Sequence, residues 1–268
     1  MLTILFLGDI VGESGRSSVI ARLPELKRDL ALDFIIVNGE NAAAGRGLTP
    51  KITIDLLRAG VSVITSGDHI WDRKEIVAFI ETEPRLLRPL NYPPGAPGAG
   101  SIVLETPKGK VGVINVQART FMQPILENPF PLLDAAVNEM RAQTSNIIVD
   151  AHGETTSEKI AIGRYLDGRV SAVLGTHTHV QTADEQIFEG GTAFICDAGM
   201  CGPVHSILGR EIAPIVDRFI SNMPAAFPVA HGEARLRGVL LEIDETTGRA
   251  CSIRRVDEAG ASPESAPV

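Results

Sequence analysis

The chain has 268 residues, 44% of them apolar, enough to bury one large core and consistent with a single domain. A formal charge of −8 removes the long-range attraction to polyanions that a basic surface provides, so duplex nucleic acid and acidic membrane surfaces are excluded as bulk partners. A small phosphate ester is not excluded, because a metal or a few local donors override the global field.

Short β-branched runs alternate with amphipathic stretches, the pattern of an α/β layer fold. The first strand is predicted at residues 2–7. This run is far shorter than the roughly 20 residues that cross a bilayer, and it ends in Gly8-Asp9 without a cleavage-site pattern, so a cytoplasmic protein is expected. The next segment, "GESGR", is glycine-rich ahead of a helix at 15–30, but it lacks the lysine and hydroxyl of a P-loop. A strand at 34–37 runs into Asn38-Gly39-Glu40-Asn41, and a helix at 50–59 opens with Thr49-Pro50, an N-cap with proline in the first turn. A strand at 61–65 leads into Gly67-Asp68-His69 and a helix at 72–81. Residues 91–100, rich in proline and glycine, read as a long surface connection between two halves of one domain.

Strands at 101–104 and 111–116 follow. The second leaves through Gln117, Arg119, Thr120 and Phe121, and the Arg119 guanidinium is suited to fork onto a phosphate, which makes Arg119 and Thr120 candidate substrate contacts. An arginine there suits an ion pair with a surface acid equally well. After a helix at 131–142, a strand at 147–150 runs into Asp150-Ala151-His152-Gly153. Thr155 followed three residues later by Glu158 reads as a capping box for a helix at 157–166. A strand at 171–174 leads into Thr176-His177-Thr178-His179, where two histidines two apart would share one face of an extended chain. A strand at 193–196, a helix at 211–222 and strands at 238–243 and 251–256 complete the chain. The last two are joined by the turn-rich 244–248 and read as a hairpin, so the sheets are mixed. Ten strands are many for one open sheet, and two sheets packed face to face with helices outside accommodate them better. The domain is expected to span 1–258, with a flexible tail at 259–268 whose Pro, Ser, Ala and Glu cannot bury enough surface to order themselves. Cys196, Cys201 and Cys251 form neither an even-numbered framework nor a C-x-x-C pair and read as reduced, structural thiols.

Four of the six histidines, with several acids, stand just past predicted strands. In α/β sheets the carboxyl ends of parallel strands line one edge, so residues from five exits can meet in one crevice, with neighbouring glycines allowing the sharp turns. Each motif alone has an ordinary structural reading: Asp9 as a turn former, His69 as a buried imidazole. Together they require five unrelated coincidences. Imidazole with carboxylate and amide oxygen suits Fe, Mn or Zn, and about seven donor groups are too many for one tetrahedral ion. They fit two metals about 3.5 to 4 Å apart. His205 and His231 lie outside this pattern and read as surface residues.

"FLGDIVGESGR", "VNGENAAAGRGLT", "SGDHIWD", "HGETTSEK", "GTHTHVQTAD" and "DAGMCGP" together resemble the YmdB-type metallophosphoesterases, a branch of the calcineurin-like phosphoesterase superfamily. The match runs in order from Leu5 to about Val256. The resemblance implies a four-layer αββα sandwich, a dinuclear site often holding iron, and hydrolysis of small phosphodiesters that include 2′,3′- or 3′,5′-cyclic nucleotides. It implies that Asp9, Glu40, Asn41 and His179 hold one metal and Glu40, Asp68, His152 and His177 the other, with Glu40 bridging and His69 donating a proton to the leaving oxygen. The chemistry is consistent: water between two cations is acidified enough to attack phosphorus at neutral pH, and an imidazole has a suitable intrinsic pKa for general-acid work.

Two departures stand out. The wider superfamily begins with Asp-x-His where this chain has Val11, a place Asn41 fills, and the common Gly-Asn-His is here Gly67-Asp68-His69. The anionic Asp68 should bind its metal more tightly while lowering its Lewis acidity, giving a working site with altered metal preference. Cys201 stands where threonine is expected and reads as a packing residue. The competing function is a regulatory protein that captures a phosphorylated ligand or RNA end without turnover. A homo-oligomer is compatible with the sequence, which says nothing further about assembly.

Overall fold

The computed structural model describes residues 1–261. The elements run β1 (Leu2–Leu7), β2 (Asp9–Ile10), α1 (Gly12–Asp29), β3 (Phe34–Asn38), α2 (Pro50–Arg58), β4 (Val63–Thr65), α3 (Ile76–Phe79), β5 (Ser101–Thr106), β6 (Gly109–Gln117) and α4 (Pro129–Arg141). They continue with β7 (Ile147–His152), α5 (Thr156–Tyr165), β8 (Ala172–Thr176), β9 (Gln186–Ile187), β10 (Ala193–Ile195), β11 (Met200–Pro203), α6 (Ile212–Ser221), β12 (Ala234–Ile243) and β13 (Ala250–Ala259).

The strands form two mixed sheets. One has the order β2-β11-β12-β1-β3-β4, with β13 also paired to β12; the other has the order β5-β6-β7-β8-β10-β9. β1, β3 and β4 are parallel in the first, and β6, β7, β8 and β10 in the second, with antiparallel β5 and β9 at its two edges. Side-chain alternation assigns each strand to two cores. Leu5, Leu7, Ile35 and Val37 face Val19 and Leu23 of α1 and Leu56 of α2. Leu2, Ile4, Phe6, Phe34 and Ile36 face the other way, onto Ile148, Ala172 and Leu174 of the second sheet. The outer face of that sheet, with Ile147, Val149 and Val173, packs on Leu133 and Val137 of α4 and Ile162 of α5. The layers are therefore helix, sheet, sheet, helix, the sandwich expected from the sequence.

Thr49 caps α2 as its spacing predicts, its hydroxyl accepting from the Ile52 N–H at 3.2 Å. The capping box at α5 does not form. Thr155 makes no capping bond, and the Glu158 carboxylate instead accepts from the backbone N–H groups of Arg119 and Thr120. The helix predicted at 72–81 shrinks to the single turn α3, because the polar residues before it serve other segments: Asp72 accepts from Arg46, and Arg73 donates to the carbonyls of Ala43 and Arg46. β2, β9 and β11 are too short to show a period. The last two strands form the predicted antiparallel hairpin, which reaches beyond the expected boundary: Ala259 pairs with Arg235, and the Gly260 N–H donates to Ala234. Most of the expected tail, residues 262–268, lies outside the described residues. Among the described residues no helix is long and apolar enough to cross a membrane.

Candidate metal centre and cleft

Strands of both sheets deliver their carboxyl ends to one region. Asp9 follows β1, Glu40 and Asn41 follow β3, Asp68 and His69 follow β4, His152 ends β7, and His177 and His179 follow β8. Close approach demands glycine at two of these exits. A Cβ on Gly67 would stand 2.2 Å from His152 Nε2 and 2.5 Å from Glu40 Oε2, and one on Gly8 would stand 1.9 Å from the Gly199 carbonyl oxygen.

His177 and His179 do not share a strand face. β8 ends at Thr176, and both histidines lie in the following turn with φ of 98° and 65°, in the left-handed region that costs a non-glycine residue about 1–3 kcal/mol. A buried ion pair holds this turn. Lys159 Nζ donates to Asp197 Oδ2 at 3.0 Å and to the Thr176 carbonyl at 3.3 Å, and both side chains are buried. Asp197 in turn accepts from the Thr178 N–H at 3.0 Å and hydroxyl at 2.8 Å, between the two histidines, and from the Gly199 N–H at 2.8 Å.

The donor atoms of Glu40, Asp68, His152 and His177 all lie within 4.8 Å of one another. His152 Nε2 stands 3.1 Å from Asp68 Oδ1, 3.2 Å from Glu40 Oε1 and 3.1 Å from His177 Nδ1. On its other side, His152 Nδ1 lies 2.9 Å from Thr176 Oγ1, whose hydroxyl donates to Asp150 at 2.6 Å. This relay holds a proton on His152 Nδ1, so that Nε2, which otherwise hydrogen-bonds the carboxylates, would offer its lone pair to a cation bound there. Asp150 is fully buried, and burial pushes its carboxyl up to about 6 against the opposing charge of His152. Burial also opposes ionisation of Glu40 and Asp68, yet both are held below the usual carboxylate range. His152 does this for Glu40 by charge and hydrogen bonding; hydrogen bonds from His152 and His177 do it for Asp68. Conversely, despite its burial, His152 is raised well above its ordinary value by Glu40 and Asp68. Two carboxylates and two imidazoles converging on one point fit a borderline divalent cation.

A second group adjoins the first through Glu40. Asp9 is fully buried, and burial raises its carboxyl above the usual value, with His179 opposing. Asp9 Oδ2 accepts from the His177 N–H at 3.0 Å, while Oδ1 is buried with no hydrogen-bond partner and stands 3.8 Å from His179 Nε2. The Asn41 amide reaches both Glu40 Oε1, at 3.1 Å, and His179 Nε2, at 3.3 Å. An orphaned carboxylate oxygen, an amide and an imidazole nitrogen are a donor set that also fits a cation.

His69 borders both groups. Its backbone N–H donates to Glu40 Oε2 at 3.2 Å, and its ring Nδ1 lies 3.2 Å from Asp72 Oδ2, an oxygen that also accepts from Arg46 Nε at 2.8 Å. Asp72 thus fixes the ring and leaves Nε2 for the adjoining cleft. The lining of that cleft, of about 460 Å³, includes Glu40, Asn41, His69, Glu154, His177 and His179. Arg119 and Thr120 stand outside this lining. Cys201 is buried, its thiol pushed up to about 12 by burial and directed at the Arg237 carbonyl, as a packing residue should be. His205 and His231 are exposed.

The profile of the YmdB-like protein family matches residues 5–256. The chain belongs to that family. A YmdB-like relative, the 2′,3′-cyclic-nucleotide 2′-phosphodiesterase of Bacillus subtilis (strain 168), is 48% identical over 255 residues, covering 95% of this chain and 96% of that protein. Among solved structures, a hypothetical protein from Thermus thermophilus is 40% identical with a TM-score of 0.91, covering 97% of this chain and 100% of that one. A novel phosphatase from Mycoplasma pneumoniae is 35% identical with the same TM-score of 0.91, covering 98% and 95%. The YmdB-like fold is therefore that of the calcineurin-like metallophosphoesterases, and the Bacillus subtilis and Mycoplasma pneumoniae relatives are named as a phosphodiesterase and a phosphatase.

Sequence reasoning missed four residues of this YmdB-like site. Glu154, whose Oε2 lies 3.2 Å from His177 Nε2, sits two places past His152 and was the most findable. Asp72, Lys159 and Asp197 act through contacts across the fold and carry no local signal.

Proposed function

We propose that the chain is a dinuclear metal phosphodiesterase that hydrolyses 2′,3′-cyclic nucleotides to nucleoside 3′-phosphates. The observation that carries this is the convergence of Glu40, Asp68, His152 and His177 donor atoms within 4.8 Å, at the wall of a cleft that also holds His69. The 48% identical relative, a 2′,3′-cyclic-nucleotide 2′-phosphodiesterase, supports the substrate class and the bond broken.

Glu40, Asp68, His152 and His177 would hold one cation, and Asp9, Glu40, Asn41 and His179 the other, with Glu40 shared. Iron is the first expectation for both, with manganese or zinc compatible with the same donors. When bound, such a pair supplies Lewis acidity that neutralises phosphoryl charge and acidifies water. The residues do the rest. Asp72 holds His69 by Nδ1, so that Nε2 delivers a proton to the departing O2′. One water is consumed overall: a P–O bond to water forms, the P–O2′ bond breaks, and O2′ leaves as a neutral hydroxyl. The Asp150–Thr176–His152 relay and the Lys159–Asp197 pair keep the ligands from turning as charge moves.

The test is elemental analysis of protein purified without chelator, paired with turnover of 2′,3′-cyclic AMP with and without added Mn or Fe, and with the His69→Ala variant. About two transition-metal ions per chain, metal-dependent release of 3′-AMP, and a loss of roughly 10²- to 10⁴-fold in kcat for His69→Ala with metal content unchanged are expected. Protein that takes up no metal on reconstitution overturns the reading. Metal with undiminished ligand capture but no turnover in the native chain converts it to a binding protein.

A further inference from the structure

The lining of the cleft that holds the metal-binding groups also includes an apolar set, Ile207, Leu208, Ile215, Phe219 and Phe227, with Arg210 among them. This wall is joined directly to the candidate metal centre, because His179 Nδ1 donates to the Leu208 carbonyl at 3.1 Å. α6 supplies its middle. Of the apolar residues on α6 only Ile215 is buried, and Phe219 is 83% exposed. A phenyl ring left open to water beside a charged cleft contributes little to folding, since it removes almost no area from solvent.

Arg210 distinguishes this wall from an ordinary greasy patch. The guanidinium donates to the carbonyls of Gly45 and Phe227, tying the loop after Asn41 to the segment that carries Phe227. Among the described residues it pairs with no carboxylate, in a chain of net charge −8. One cleft therefore offers acids and imidazoles together with planar aromatics, aliphatic carbons and an uncompensated cation. Its volume of about 460 Å³ lies within the range of roughly 300–1,000 Å³ typical of small-molecule sites. A ligand matching both sets of residues carries a phosphodiester and a flat, partly apolar ring system.

We propose that Phe219, with Leu208 and Phe227, is the nucleobase subsite of the cleft, and that Arg210 holds this wall at the correct distance from the metal ligands. The inference rests on the phosphodiesterase reading for its substrate class. Stacking on a phenyl face tolerates every base, so the subsite selects nucleotides over base-free phosphodiesters without choosing sharply among the four bases. With only Phe219 and Phe227 as aromatic lining beside its histidines, the cleft also fits a single nucleotide better than a long RNA, which needs successive stacking platforms.

The experiment compares 2′,3′-cyclic AMP with glycerol 1,2-cyclic phosphate, which carries the same five-membered reacting ring and no base. Phe219→Ala is expected to lower the ratio of kcat/KM for the two substrates by about 5- to 150-fold, mostly through KM for the nucleotide. Ile220→Ala, on the same helix, 80% exposed and outside the cleft lining, leaves the ratio unchanged. An equal loss on both substrates, or a ratio unmoved by Phe219→Ala, overturns the subsite. A change of sedimentation behaviour in Phe219→Ala with both substrates affected alike overturns it too and assigns the ring to a contact between copies. Direct titration of the metal-loaded protein with 3′-AMP and with glycerol 3-phosphate reads the subsite without turnover. Preference for 3′-AMP that vanishes in Phe219→Ala upholds it even if the native chain hydrolyses neither cyclic substrate, the result that would sink the phosphodiesterase reading alone.

Discussion

Lys159→Met isolates the buried ion pair that holds the histidine turn. Lys159 and Asp197 are both buried, and among the described residues the 3.0 Å bond between them is the ammonium's only contact with a carboxylate. Methionine keeps the length and apolar stem of the lysine but leaves Asp197 charged inside the protein. Removing one partner of a buried pair costs about 3–5 kcal/mol. Asp197 keeps its three hydrogen bonds from Thr178 and Gly199, which places the expected loss near the lower end, about 3 kcal/mol. For a chain of this size that corresponds to a fall in Tm of roughly 6–12 °C. Urea unfolding at pH 7 measures the loss, with Lys51→Met as the control: Lys51 makes a bond of the same 3.0 Å length to Asp55 but is 86% exposed, and its removal should cost under about 1 kcal/mol. Because Lys159 also donates to the Thr176 carbonyl, the variant should lose bound metal to a chelator faster than the native chain. A destabilisation below about 1 kcal/mol would mean that water reaches Asp197 and that the pair does not brace the turn.

Gly67→Ala places a methyl within 2.2 Å of His152 Nε2 and should abolish metal uptake while far-ultraviolet circular dichroism stays native; retained metal would show that the exit loop yields freely. Asp68→Asn keeps an oxygen where Asp68 Oδ1 lies 3.1 Å from His152 Nε2, so metal should still bind but be stripped by chelator at lower concentration, with a different order of activation by Fe, Mn and Zn. Complete loss of metal would refute the view that charge at Asp68 tunes the site rather than creating it. Native protein should consume one equivalent of iodoacetamide, at exposed Cys251, and denatured protein three, since burial raises the thiols of Cys196 and Cys201. Rapid reaction of Cys201 in the native state would place it in the open cleft.

Elements whose signal is local were legible in the sequence. β1 carries an unbroken apolar run, Thr49-Pro50 starts α2 by its own chemistry, and the turn-rich stretch between β12 and β13 closes a hairpin without help from the rest of the chain. Where a residue had a choice of partners, the fold overrode the local pattern. Glu158 has the spacing of a capping box, yet two free N–H groups at Arg119 and Thr120, 39 and 38 residues away, compete for the same carboxylate. Asp72 suits a helix N-terminus and Arg73 a helix interior, yet both are drawn to the loop around Arg46. In each case a polar side chain satisfied groups that would otherwise lack partners.

The same distinction divides the site. The convergence of the candidate ligands was readable because parallel strands must end on one edge, so a histidine or acid past a strand has a restricted destination whatever the rest of the sequence does. What orients those ligands was not readable, because it comes from positions with no strand-exit signature. Lys159 lies in α5, Asp197 follows β10, and together they hold a turn that belongs to β8. The positive φ values of His177 and His179 follow from that grip: an isolated strand would continue past Thr176, and it is the bonds from Thr178 to Asp197 that fold the chain back and turn one imidazole toward Asp68 and the other toward Asp9. Two histidines two positions apart therefore point to two different groups of side chains, as the proposed dinuclear centre requires, because the backbone between them is bent, where an extended strand would have sent both to the same side.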